Sequence, residues 1–180
     1  ASESSLRFHH QLLQYQDKAQ TQSMAAVYYQ LGILRTIQGF YEKARQALNQ
    51  ALLLQGCDAR GAALKAQTCQ ALGRVAYFEG NWEHAVTHYE TAYNLYSVVP
   101  NPCQSIKLAR SLVLRKATEL FLEEGHFESA YAGYEAVLHL LRILFTRKEM
   151  KENIHVRRHI KEVTLCLGEL RRQHKPKITP

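Results

Sequence analysis

The chain has 180 residues, 46% of them hydrophobic and 22% charged, with nine glycines, four prolines and a formal net charge of +7. That length and apolar content suit one domain with a sizeable core, and so few Gly and Pro exclude a disordered, collagen-like or short-stranded β chain. The prolines stand at 100, 102, 176 and 180, so nothing before Pro100 breaks a helix in the way proline does.

In chain order, the first element is a stretch over residues 1–20. Within it Leu6-Arg7-Phe8-His9-His10-Gln11-Leu12-Leu13-Gln14-Tyr15 has apolar residues at helical spacing, which predicts a helix packing on the first helix pair. Residues 21–58 form a first unit with helices over about 22–38 and 40–55. Residues 59–100 form a second, with helices over about 61–79 and 82–98. Residues 101–148 form a third, with helices over about 103–124 and 127–147. Residues 149–174 then read as a basic capping helix or the start of a fourth unit, since Leu167-Gly168 repeats a pair seen earlier, and 175–180 as a tail. Opening on Ala-Ser-Glu-Ser-Ser and ending on such a helix, the chain reads as a piece of something longer.

The units are copies of one another. The first runs Leu31-Gly32, Gly39, Tyr41, Ala44, Leu48, Ala51; the second runs Leu72-Gly73, Gly80, Trp82, Ala85, Tyr89, Ala92. The third is worn at its front, where Ala117-Thr118 replaces Leu-Gly, but keeps Gly125, Phe127, Ala130, Tyr134 and Val137. Glycine at 32 and 73 lets two antiparallel helices approach closely. Glycine at 39, 80 and 125 ends the first helix of each pair, where a positive φ suits it. The aromatic at 41, 82 and 127 is expected to pack back over that corner, and the small and apolar positions after it form one buried stripe.

This grammar resembles the tetratricopeptide repeat over about residues 24–147, and it outweighs the bland alternative of a helical bundle with coincident glycines. The turn glycines are offset by 41 and then 45 residues, longer than the family's period of about 34, as in its long-repeat members. The resemblance implies an all-α, right-handed superhelix whose concave side is lined by the first helices. Its inward positions map here to Ala26, Tyr29, Gln30, Ile33, Thr36 and Ile37, then to Gln67, Gln70, Ala71, Arg74, Tyr77 and Phe78, then to Leu112, Arg115, Lys116, Glu119, Leu122 and Glu123. Of these, Tyr29, Gln67, Gln70, Arg74, Tyr77, Phe78, Arg115, Lys116 and Glu119 are the expected groove residues, because aromatic and Arg anchors dominate interface energy; Ile33 and Phe78 also fit a core role. The implied function is a non-catalytic interaction module or scaffold that holds a peptide or helix of another protein.

Chaperone-binding relatives clamp a C-terminal carboxylate with Lys and Asn at positions that here are Tyr29, Ile33, Ala71, Leu112 and Lys116. Only Lys116 conforms, so a chaperone tail would be left with uncompensated buried charge and is not the expected ligand.

Charge points to a second surface. Residues 1–141 hold twelve basic and twelve acidic groups, whereas the last 39 residues hold eleven basic groups against four glutamates. Arg157, Arg158, Lys161, Arg171 and Arg172 therefore form an alternative site for nucleic acid or an acidic partner, though without the interleaved aromatics that stack on bases.

No phosphate loop, dinucleotide fingerprint, nucleophile elbow or zinc-protease motif occurs, so neither catalysis nor a cofactor is expected. His84/His88 and His155/His159 stand at i, i+4 but lack a third ligand at a telling distance, and read as exposed or packed side chains rather than a metal site. The four cysteines (57, 69, 103, 166) form no Cys-x-x-Cys pair and no Asn-x-Ser/Thr acceptor exists. Packed, reduced thiols in an intracellular protein are the expectation, in the cytoplasm first and the nucleus as the alternative. No apolar run approaches the ~18 residues of a bilayer span.

Overall fold

Three turns organise the chain. Gly39, Gly80 and Gly125 adopt φ of 79°, 76° and 79°, the left-handed region that an L side chain enters only with strain. Each glycine N–H donates to a carbonyl three residues back, and the next N–H donates to one five residues back, as with Phe40 to Arg35 (2.9 Å), Asn81 to Ala76 (2.9 Å) and His126 to Phe121 (2.8 Å). These paired bonds satisfy the last carbonyls of a helix and turn the chain for the next one.

The computed structural model describes residues 3–56 and 58–173, with side-chain surroundings from Gln14 onward except at Ala59. The described residues form eight helices and no strand: α1 (Glu3–Ile37), α2 (Tyr41–Leu54), α3 (Ala59–Phe78), α4 (Trp82–Ser97), α5 (Gln104–Glu123), α6 (Phe127–Leu144), α7 (Arg147–Glu152) and α8 (Ile154–Gln173). Helices α1/α2, α3/α4 and α5/α6 pair, each pair packs on the next, and α8 packs on α6. The result is an all-α solenoid. The long period resides in the helices, since α3 and α5 each run 20 residues.

Close approach within each pair depends on a missing side chain. A β-carbon on Gly32 would lie 2.5 Å from Leu48 Cγ, and one on Gly73 3.0 Å from Tyr89 Cε1. Both neighbours are buried core residues. The third pair solves the same problem from the other side. Thr118 occupies the first-helix position, and the space is released by Gly133 on α6, where a β-carbon would lie 2.5 Å from Thr118 Oγ1.

Four sequence expectations change. The predicted helix over 1–20 is not separate: α1 runs unbroken to Ile37, because no Gly or Pro interrupts residues 14–31. Residues 14–20 are all exposed, so this part of α1 does not pack on the first pair; the side chains of 1–13 and the 175–180 tail lie outside the described residues. The aromatics at 41 and 82 do not fold back over their own corners but reach forward to the next pair. Tyr41 stacks on Phe78 at 6.0 Å and Trp82 meets Phe121 edge-on at 6.2 Å. Finally, the second helix of the third pair stops at Leu144 rather than about 147. Thr146 and Glu149 form a reciprocal capping box that starts α7, and Asn153 then caps α8 by accepting from His155 and Val156 N–H.

Candidate interaction groove

Two clefts lie between successive first helices. The larger, about 230 Å³, lies between α3 and α5 and is lined by Gln70, Arg74, Tyr77, Phe78, Lys116 and Glu119, with Tyr89, Leu120 and Glu123 beneath or beside them. The other, about 200 Å³, lies between α1 and α3 and includes Tyr29, Gln30 and Gln67 beside Asp58 and Arg60. Eight of the nine residues expected at the groove therefore line one cleft or the other.

Tyr77 and Phe78 remain 43% and 50% exposed. Phe78 is nevertheless held from below by Tyr41, and the Tyr77 and Phe78 rings meet at 5.7 Å. The pair is thus an anchored aromatic ledge, unlike a mobile surface side chain. The charge of Arg74 reaches both Tyr29 and Tyr89. Burial nonetheless dominates at each phenol, raising Tyr29 and pushing Tyr89 up to about 12. Across the cleft, Lys116 Nζ donates to Glu119 Oε2 at 2.6 Å.

Arg115 is the exception. Its guanidinium turns away from the cleft towards α8, donating to Glu119 Oε1 (2.8 Å), to Glu162 and to His159 Nδ1 (3.1 Å). Burial works against its charge, but the hydrogen bond and charge of Glu162 together with Glu119 more than offset this and raise its pKa. The expectation of Arg115 as a groove residue is thus corrected: it joins α5 to α8. Among the other inward positions, Thr36 and Ala71 are buried and Ile33 packs in the core under Ala44 and Leu48. Thr36 turns its hydroxyl to the Gly32 carbonyl at 2.8 Å.

His159 is a functional-looking residue whose partner periodicity could not indicate. It is 2% exposed. A guanidinium can only donate, so Nδ1 accepts from Arg115 and the ring proton sits on Nε2, which is buried and, although it faces the Ser111 backbone, makes no hydrogen bond of normal geometry. Burial first, and then the Arg115 charge, push the imidazole down to about 4, against a weaker pull from the Ser111 backbone and the Glu162 and Glu119 charges. Its i−4 neighbour His155 is exposed, so this pair does not converge. His84 instead sits beside its helix cap, with Nδ1 2.8 Å from Asn81 Nδ2. No cluster of three or more metal-ligating side chains forms among the described residues.

On α8, Arg157, Arg158 and Lys161 are exposed. Arg171 is engaged by Tyr131 Oη (2.9 Å) and Glu135 (3.4 Å), and Arg172 donates to the Gly168 carbonyl (3.2 Å). Cys69 is buried, Cys166 half-buried and Cys103 exposed; burial raises the Cys69 pKa, with Lys65 opposing. No helix among the described residues is long and apolar enough to cross a membrane.

Comparison with known proteins agrees with this architecture. No curated protein matches the sequence. The crystal structure of BtubC (BKLC) from P. vanneervenii is similar in fold, with a TM-score of 0.64 and 19% identity over 91% of this chain. The match covers 61% of that chain, so the present sequence spans less than two thirds of its length. A family model described as tetratricopeptide repeat matches residues 23–97. Residues 23–97 are therefore tetratricopeptide repeats, and the pair after them continues the same solenoid with the same left-handed glycine turn.

Proposed function

We propose that this chain is a non-catalytic protein-interaction module that holds a peptide or helical segment of a partner in the cleft between α3 and α5. Tetratricopeptide repeats are in general protein–protein interaction modules. The observation that carries the finer reading is the pairing of an anchored aromatic ledge, Tyr77 and Phe78, with Arg74 and Lys116 around one cleft. Aromatic and Arg side chains in a shaped pocket are the groups that concentrate binding energy. The mixture of Arg74, Lys116, Glu119 and Glu123 favours a ligand with both apolar and charged groups over a uniformly anionic one.

Peptides selected by display on the folded chain test this reading. Replacing Arg74 and Tyr77 together by alanine is expected to weaken such peptides at least about tenfold, roughly 1.4 kcal/mol, with unchanged helical circular dichroism. Retained affinity in that double variant would remove the cleft from the function. A second reading rests on exposed Arg157, Arg158 and Lys161. Binding of a single-stranded oligonucleotide that collapses between about 50 and 200 mM salt, as counterion release requires, would favour it over the cleft.

A further inference from the structure

Each of α1, α3 and α5 is followed by a second helix that lies against it, whereas α8 has no such helix among the described residues. Yet α8 carries the same register. Leu167-Gly168 aligns with Leu72-Gly73, and Leu167, like Leu72, is buried towards the preceding pair. In α3, the stripe Lys65, Cys69, Gly73 lies at i, i+4, i+8. There Cys69 belongs to the core that α4 completes, and Tyr89 of α4 fills the notch over Gly73. The matching stripe in α8 is Ile160, Thr164, Gly168. A β-carbon on Gly168 would meet nothing within 4 Å.

This uncovered stripe continues into a cleft of about 570 Å³, roomier than either groove cleft and lined by Leu138, Leu141, Phe145, Met150, Ile160 and Thr164. Its charged lining is Arg142 and Arg147, with no carboxylate among the described residues. Exposed Arg157 and Lys161 stand one turn apart on the adjoining face of α8. A helix seated here would meet apolar side chains along its centre and cations at its margins.

We propose that the α6–α8 cleft, extended to the open notch at Gly168, is a second docking site that accepts an acidic amphipathic helix from a partner, seated as α4 sits on α3. The seat is continuous with the solenoid's own helix stacking, and its charge selects the occupant.

The test uses the full chain and a fluorescent peptide copying residues 82–97, the segment that performs this role on α3. It contains Glu83 and Glu90, no Lys or Arg, and the Tyr that fills the notch. Anisotropy titration is expected to show saturable binding. Gly168→Leu fills the notch in open space and raises helix propensity, so it should preserve the fold while weakening the peptide at least tenfold. Arg142→Glu should weaken it similarly, and a peptide carrying Lys at both Glu positions should bind poorly. The Arg74/Tyr77 double variant should bind the peptide as the wild type does, which separates this site from the α3–α5 cleft. No binding, affinity unaffected by Gly168→Leu, or equal affinity for the Lys peptide would overturn the proposal. A dimer in sedimentation that Gly168→Leu abolishes, without peptide binding, would also overturn it by assigning the cleft to a second copy.

Discussion

Alanine at Gly133 is expected to destabilise the protein by about 2 kcal/mol, the cost of overpacking a filled interior. The sign is informative, because glycine to alanine inside a helix ordinarily stabilises by up to about 1 kcal/mol. Here the added carbon would meet Thr118 Oγ1 at 2.5 Å and Cγ2 at 2.8 Å, and Thr118 is itself fully enclosed. Its hydroxyl also donates to the Leu114 carbonyl at 2.9 Å, which limits its freedom to rotate aside. Glycine at 118 should then relieve the clash, recreating in the third pair the arrangement that Gly32 and Gly73 provide in the first two. Urea denaturation of Thr118→Gly, Gly133→Ala and the double variant forms a closed cycle. The double variant should be more stable than the sum of the single effects by at least about 1 kcal/mol, as expected for residues in direct contact. Simple additivity, or a neutral Gly133→Ala, would mean that this glycine does not set the α5–α6 distance.

Acid is expected to weaken the fold through His159. An imidazole held near 4 in the folded chain binds its proton near 6.5 once unfolded. The unfolded state therefore takes up protons first as pH falls. The stability associated with the neutral ring is fully present above pH 6.5, declines as pH drops towards 4, and is gone below it; the interval corresponds to about 3 kcal/mol. The groups facing the ring are Arg115, Glu119, Glu162 and the Ser111 backbone. Glu162, whose own pKa is lowered chiefly by its hydrogen bond to Arg115, adds acid sensitivity from its ordinary value of 4.5 downward, at and beyond the lower end of the histidine's range. Replacement of His159 by leucine isolates the histidine, because Arg115 keeps both glutamates as partners. Wild type should lose about 2–3 kcal/mol of stability between about pH 7 and pH 4.5, measured by denaturant midpoint, and the leucine variant much less. Parallel pH profiles would show that the ring is not held neutral by its surroundings.

How far the sequence foretold this structure can be seen element by element. The turn glycines were legible because the requirement is local: the chain reverses within two residues, and only glycine enters that φ without strain. Glycine at 32 and 73 was equally legible, because the notch repeats at the same place in the grammar. The third pair looked worn because its small residue moved to the opposite helix, and one-dimensional alignment does not see across a helix pair. The break between α6 and α7 was present in the residues as Thr146-x-x-Glu149, a local signal that the apolar run before it outweighs in a reading by periodicity. The joining of the first two predicted helices into α1 followed from the mere absence of a breaker.

Side-chain destinations were less accessible. Tyr41 and Trp82 were expected to pack over their own corners but meet Phe78 and Phe121 of the next pair, because their contacts depend on how one pair stacks on the next. Arg115 falls in the groove by repeat position alone. It was drawn to α8 because Glu162 and the unprotonated nitrogen of His159 lie there, 47 and 44 residues later in the chain.

Residue order alone determined that this is a stack of paired helices and where each pair turns, since those outcomes depend on interactions within a few residues and on a spacing that recurs. Which faces remained open was decided only when the pairs came together. The turn of Arg115 towards α8, the exchange of Thr118 for Gly133 and the uncovered notch at Gly168 depend on distances between segments that no local rule constrains.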